Sequence, residues 1–88
     1  MRQASISGTA MDTLARIISD VLLIEEGKIT SEIEIHKVAT WNSLSHIELI
    51  VALEEAFDIQ FTEEDIVAMI NVGEIRRVLN ERGVLPGK

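Results

Sequence analysis

The chain has 88 residues, 47 % of them hydrophobic, 3 % aromatic and none of them cysteine; this bounds one small domain with an aliphatic core and excludes a disulfide framework or a thiolate site. A net charge of −7 argues against nucleic acid and anionic membrane surfaces as partners, because a surface of that sign repels both. No apolar run approaches the roughly 20 residues that span a bilayer and no secretory leader pattern opens the chain, so a soluble cytoplasmic protein with no membrane partner is expected.

Residues 1–10 are small and polar around Gly8 and read as a flexible N-terminal extension. A first helix is predicted over residues 11–23, where Leu14, Ile17, Ile18, Val21 and Leu22 recur at helical spacing. Residues 24–42 form a long connection in which Ile29, Ile33, Ile35 and Val38 stand among polar residues. Loops of this length are uncommon in so small a domain and often functional. Residues 33–35 have strand character without an evident partner, so an ordered loop pinned by its isoleucines is expected.

The second helix is predicted over Ser43–Phe57 and carries more apolar residues than one buried face needs. Leu49, Ile50, Leu53 and Phe57 form one stripe, assigned to the core. Leu44, Ile47 and Val51 form a second, which either packs under the long loop or stays exposed as a partner-binding face flanked by Glu48, Glu54 and Glu55. Thr62 with Asp65 has the spacing of a capping pair and opens a short third helix to about Ile70. Asn71 with Glu74 repeats the pattern ahead of a fourth helix over Val72–Glu81. Gly83 suits its C-terminal cap, and Arg76, Arg77 and Arg82 suit its negative end. Residues 84–88 read as a tail, which leaves residues 11–83 as the domain.

The charge is unevenly placed. All eight Lys and Arg lie in residues 2–37 or 76–88, whereas residues 38–75 hold eight acids and no base. That segment is either a solvated acidic face or a docking surface that steers in basic partners.

Ser43 stands at the start of the second helix. A serine there caps a helix well, and unpaired N–H groups together with the helix dipole also favour a phosphate. His46 lies one turn on, but a Ser–His nucleophile lacks a third orienting group and a Gly-x-Ser-x-Gly elbow; His46 is expected to pack at the helix edge. Two histidines without cysteine support a metal site poorly, and the acidic run 58–65 lacks the calcium-loop spacing. Trp41 reads as a core residue closing the loop onto the helices. Ile66, Met69 and Ile70 either line a cleft or belong to the ordinary core.

The run Trp41-Asn42-Ser43-Leu44, followed by Ile47-Glu48-Leu49-Ile50 and Leu53-Glu54-Glu55-Ala56-Phe57, resembles the acyl carrier protein family. Residues 58–65 resemble that family's second connection, and residues 71–75 the opening of its last helix. The likeness covers residues 11–83. It implies an all-α, small four-helix bundle with a short third helix and a long loop between helices 1 and 2. Ser43 matches the serine to which a phosphopantetheinyl transferase attaches 4′-phosphopantetheine from coenzyme A. The arm holds an acyl or aminoacyl group as a thioester and presents it to loading and processing enzymes through basic docking patches. Asn42, Leu44, Ile47, Glu48, Val51, Glu54 and Glu55 would form the partner-binding surface.

One position departs from the family pattern: its aspartate before the serine is Asn42 here, which keeps the size but drops the charge, so slower or more selective modification is expected. The implied protein is a monomeric, free-standing carrier that catalyses nothing itself and holds no metal. Trp41 and Asn42 lean the reading toward a specialised polyketide, peptide or related pathway rather than primary fatty acid synthesis. The alternative, which Asn42 favours, is an unmodified interaction module that docks a basic partner through its acidic second helix.

Overall fold

Four helices and one 3₁₀ turn make up the computed structural model, which describes residues 10–85. The helices are α1 (Ala10–Leu22), α2 (Ser43–Phe57), α3 (Glu63–Ala68) and α4 (Val72–Glu81), with the 3₁₀ turn at Glu26–Lys28. This is the expected all-α bundle with a short third helix and a long first loop. Of the extension predicted for residues 1–10, residues 1–9 lie outside the described residues, as do the last three residues of the tail, whereas Ala10 opens α1. Val84 and Leu85, grouped with the tail by sequence, pack on the core.

Helical spacing builds that core. Leu14, Ile18 and Leu22 of α1 are buried at every fourth position and pack against Leu49, Ile50 and Leu53 of α2 and Ile75, Val78 and Leu79 of α4 in one cluster. α1 packs most extensively on α2. Each such side chain contributes about 1.5–3 kcal/mol when fully buried. Helix ends are set by local chemistry. Leu23 and Asp58 turn into the left-handed region at φ 58° and 56° after α1 and α2. After α4, Gly83 does so at φ 79°, with its N–H on Asn80 O and the Val84 N–H on Leu79 O. Those two bonds satisfy carbonyls that the helix end leaves open, in the arrangement a C-terminal glycine permits.

The long first loop is ordered, as expected, and its partner is the start of α4. Glu34 bridges Asn71 in antiparallel sense. Ile35 N–H donates to Ile70 O, Val72 N–H to Ile33 O and Gly73 N–H to Ser31 O. Gly73 permits this approach, because a Cβ there would meet Ser31 at 3.3 Å. Ile29, Ile33, Ile35 and Val38 pack against the core.

Two expectations about α4 change. Asn71 caps Glu74 N–H at 2.7 Å, but the Glu74 carboxylate pairs with Arg77, 2.6 Å away, rather than closing a box. No base stands in the last turn: the buried Nε of Arg76 has no hydrogen-bond partner among the described residues, Arg77 lies between Glu74 and Glu81, and Arg82 reaches Asp65 and Gln60 O. That reach ties the end of α4 to the capping box of α3, in which Thr62 and Asp65 accept each other's N–H groups.

The Thr62 N–H, and after it the Arg82 guanidinium, hold the Asp65 carboxyl below its ordinary value against the opposing effect of desolvation. Because the folded value lies below the unfolded one, this stabilisation is full above the usual carboxylate range, about pH 4, and is lost as pH falls through the folded value. Asp65→Asn is expected to be less stable than the parent at pH 7, with the gap narrowing as pH falls below the usual carboxylate range. Urea unfolding across a descending pH series measures it, and a gap that does not narrow would contradict the linkage.

Candidate functional site

Ser43 is the first residue of α2, and the cap is Asn42 rather than Ser43 itself. Asn42 is extended, and its Oδ1 accepts from Leu44 N–H at 3.0 Å and Ser45 N–H at 3.1 Å. Ser45 completes a capping box: its Oγ accepts from Asn42 N–H at 2.9 Å and donates to Thr40 O at 2.6 Å. Helix-start satisfaction is therefore divided between residues 42 and 45. Ser43 does not contribute to it; the residue is exposed and its hydroxyl makes no hydrogen bond among the described residues.

This corrects the expectation of several free N–H groups beside Ser43. Asn42 already accepts from two of them, and His46 N–H bonds Asn42 O at 2.8 Å. Only the N–H of Ser43 itself remains without a partner among the described residues. What favours an anion here is that one donor, the positive end of α2 and the absence of a charge at residue 42.

The second stripe of α2 faces solvent: Leu44 is 70 % exposed, Ile47 52 % and Val51 45 %. Leu44 does not pack under the loop. Glu48 and Glu55 are exposed beside the stripe, and Asn42 is exposed at its head. Glu54 is half-buried and accepts the Phe61 N–H at 2.9 Å, so it also pins the connection after α2. Of the three candidates on or near α3, Met69 is fully buried core, Ile66 packs half-buried against the core, and Ile70 turns outward.

Beneath Ser43 lies an arrangement that sequence reasoning missed. Trp41 is fully buried and His46 nearly so. Trp41 Nε1–H donates to His46 Nδ1 at 3.0 Å, and His46 Nε2 lies 3.1 Å from Ile66 O. An indole only donates and a carbonyl only accepts, so the imidazole is the neutral tautomer protonated at Nε2. The reason Ile66 O is available lies in α3 itself. That helix has six residues, and the Ile70 N–H that would close its last turn bonds Ala68 O instead. His46 caps the carbonyl left open. The signal was present in the sequence: His46, Leu49, Ile50 and Leu53 share one helical stripe, and Asn42 stands three residues before Ser45. His36, the other histidine, is exposed at φ 68° and donates its N–H to Trp41 O, which closes the turn ahead of α2. Among the described residues no group of three His, Cys, Asp or Glu could hold a metal ion, and no helix is long and apolar enough to cross a membrane.

Comparison with known proteins agrees with this geometry. The family model described as "Phosphopantetheine attachment site" matches residues 12–79. The acyl carrier protein of Helicobacter pylori strain J99 is 30 % identical over 70 residues, covering 80 % of this chain and 90 % of that protein. The acyl carrier protein of Prochlorococcus marinus strain MIT 9515 is 33 % identical over 64 residues, covering 73 % of this chain and 80 % of that protein. A four-helix bundle with an exposed, unengaged serine at the head of α2 fits covalent attachment of that group, and the chain belongs to the acyl carrier protein family, whose cofactor is covalently bound 4′-phosphopantetheine.

Proposed function

We propose that Ser43 carries the phosphopantetheine arm and that the protein presents an acyl or aminoacyl group, held as a thioester, to successive enzymes of a fatty acid, polyketide or related pathway. The observation that carries this is the division of labour at the head of α2. Asn42 and Ser45 cap the helix, so the Ser43 hydroxyl is presented at a fixed place with no structural duty to give up. The arm's thiol supplies the acyl-carrying chemistry. The protein's own contribution is to hold the attachment point and to display Leu44, Ile47 and Val51 between Glu48 and Glu55 for enzymes with basic patches. The domain itself needs no catalytic group.

Incubation with coenzyme A and a broad-specificity phosphopantetheinyl transferase, followed by intact-mass measurement, tests this. One added phosphopantetheine is expected. No addition by several such transferases on folded protein would move the case to an unmodified docking module. Asn42 caps α2 in either reading, as an aspartate would, so the residue does not decide between them.

The same geometry predicts the effect of restoring the family's aspartate. Asp caps a helix as well as Asn, so Asn42→Asp should leave stability within about 0.5 kcal/mol or raise it slightly through the helix dipole. The added charge faces the incoming enzyme. Modification by a basic transferase should rise about three- to tenfold at low ionic strength, and the gain should fade as salt screens it. A rate unchanged across the salt series would remove charge as the meaning of this position.

A further inference from the structure

We infer that this carrier keeps its cargo outside the helix bundle, because Trp41 and His46 latch the interface between α2 and α3 beneath Ser43, and that its cargo is accordingly a short or polar acyl or aminoacyl group. The inference rests on the carrier reading and adds the substrate class to it.

A chain tethered near Ser43 could be sheltered by passing between α2 and α3. His46 stands one helical turn below Ser43 and touches both sides of that passage: it accepts from the Trp41 indole and lies within hydrogen-bond distance of the Ile66 carbonyl of α3. The two rings lie 5.9 Å apart, centroid to centroid. Behind them Leu49, Leu53 and Met69 are fully buried in one continuous core. An entering chain would have to break both of those hydrogen bonds and leave an indole N–H and a helix-end carbonyl unpaired in a buried place, a penalty that an apolar chain cannot make good.

The other clefts among the described residues offer no buried substitute. One of about 220 Å³ is lined by Leu14, Ile18, Ile29, Val72 and Arg76, with no residue from α2 or α3; two larger ones, of about 450 and 410 Å³, are shallow depressions open to solvent at the end of α2, beside Val51 and Glu55, and along α3, beside Glu64 and Val67. A long acyl chain left outside the bundle forgoes the transfer free energy of every methylene, whereas a short or polar group forgoes little. Lack of shelter therefore selects cargo.

The test loads the full chain with acetyl, butyryl or decanoyl arms by supplying the corresponding acyl-coenzyme A to the transferase, with intact mass read first. Failure to load any arm would count against the carrier reading and not against this one. With arms in place, thermal unfolding midpoints and methyl NMR spectra of the unaltered protein are expected to be the same for all three cargoes. In His46→Ala, which opens the latch, the decanoyl arm should raise the midpoint by several degrees over acetyl and shift the Leu49, Leu53 and Met69 signals. Trp41→Phe, which keeps most of the ring volume but removes the donor, serves if His46→Ala does not fold. Decanoyl-specific shifts in the unaltered protein, at those residues or at Leu14, Ile18 and Val72, would overturn the inference. Equal midpoints for all cargoes in the latch variants would overturn the assignment to Trp41 and His46.

Discussion

Ser43→Ala is expected to take up no phosphopantetheine and to fold as well as the parent. Both halves follow from the helix start. The Ser43 side chain is exposed and makes no hydrogen bond among the described residues, so its loss should change stability by less than about 0.5 kcal/mol. Ser45→Ala is the informative contrast, because it removes the neighbouring hydroxyl with the opposite consequences. Ser45 Oγ is buried, accepts from Asn42 N–H and donates to Thr40 O. Removing it leaves two backbone groups to find other partners, at about 1–3 kcal/mol, yet keeps the Ser43 hydroxyl. The expected pattern is full modification with lowered stability for Ser45→Ala, and no modification with parent stability for Ser43→Ala. Intact mass and urea unfolding read it directly. Modification that persists in Ser43→Ala would refute the assignment, as would a large destabilisation that made its loss of modification a folding defect.

The contrast between these two serines also shows how far the residues could be read unaided. Periodicity was sufficient where a side chain's fate depends on its own helix. The spacing of Leu14, Ile18 and Leu22 predicts the buried face of α1, and the two stripes of α2 separate into core and solvent as drawn. Local capping was legible at Thr62 and Asp65, whose partners lie three residues apart. The same spacing links Asn42 to Ser45, but attention to Ser43 as a cap obscures it; two hydroxyl residues within one turn compete for one role, and only geometry assigns it.

Contacts between distant segments were not legible. The first loop's pairing with residues 70–73, the Arg82–Asp65 pair and the His46–Ile66 bond join residues 17 or more positions apart. Each meets a need created elsewhere: the loop finds donors at the start of α4, and His46 satisfies a carbonyl that exists only because α3 ends early. No local pattern announces a need of that kind. Arg77 and Arg82 illustrate the converse: the dipole rule suits a base near the end of α4, but the last turn holds none, and nearby carboxylates, a stronger attraction at contact distance, take both side chains.

His46→Ala should be the most destabilising single polar substitution in the domain, by roughly 2–4 kcal/mol. The imidazole fills buried volume and closes two hydrogen bonds at once, to a donor 3.0 Å and an acceptor 3.1 Å away. Its removal leaves the Trp41 N–H and the Ile66 carbonyl unpaired, each at about 1–3 kcal/mol unless water reaches them. Trp41→Phe removes only one of the two bonds and should cost less. Because the indole and imidazole share a hydrogen bond, the two substitutions should not add: once His46 is gone, losing the Trp41 donor removes a group already unsatisfied. A coupling of about 1–2 kcal/mol is expected from the double-mutant cycle, measured by urea unfolding with slopes checked for constancy. Single substitutions that add to within about 0.3 kcal/mol would show that the two rings merely fill space. Strong coupling would establish the Trp41–His46 bond as one half of a polar joint beneath Ser43, the other half being the contact of His46 with Ile66 O of α3. A family member with an aliphatic residue at the position of His46 would hold α3 by packing alone, and packing yields to an intruding chain more readily than a joint whose two ends must both stay paired.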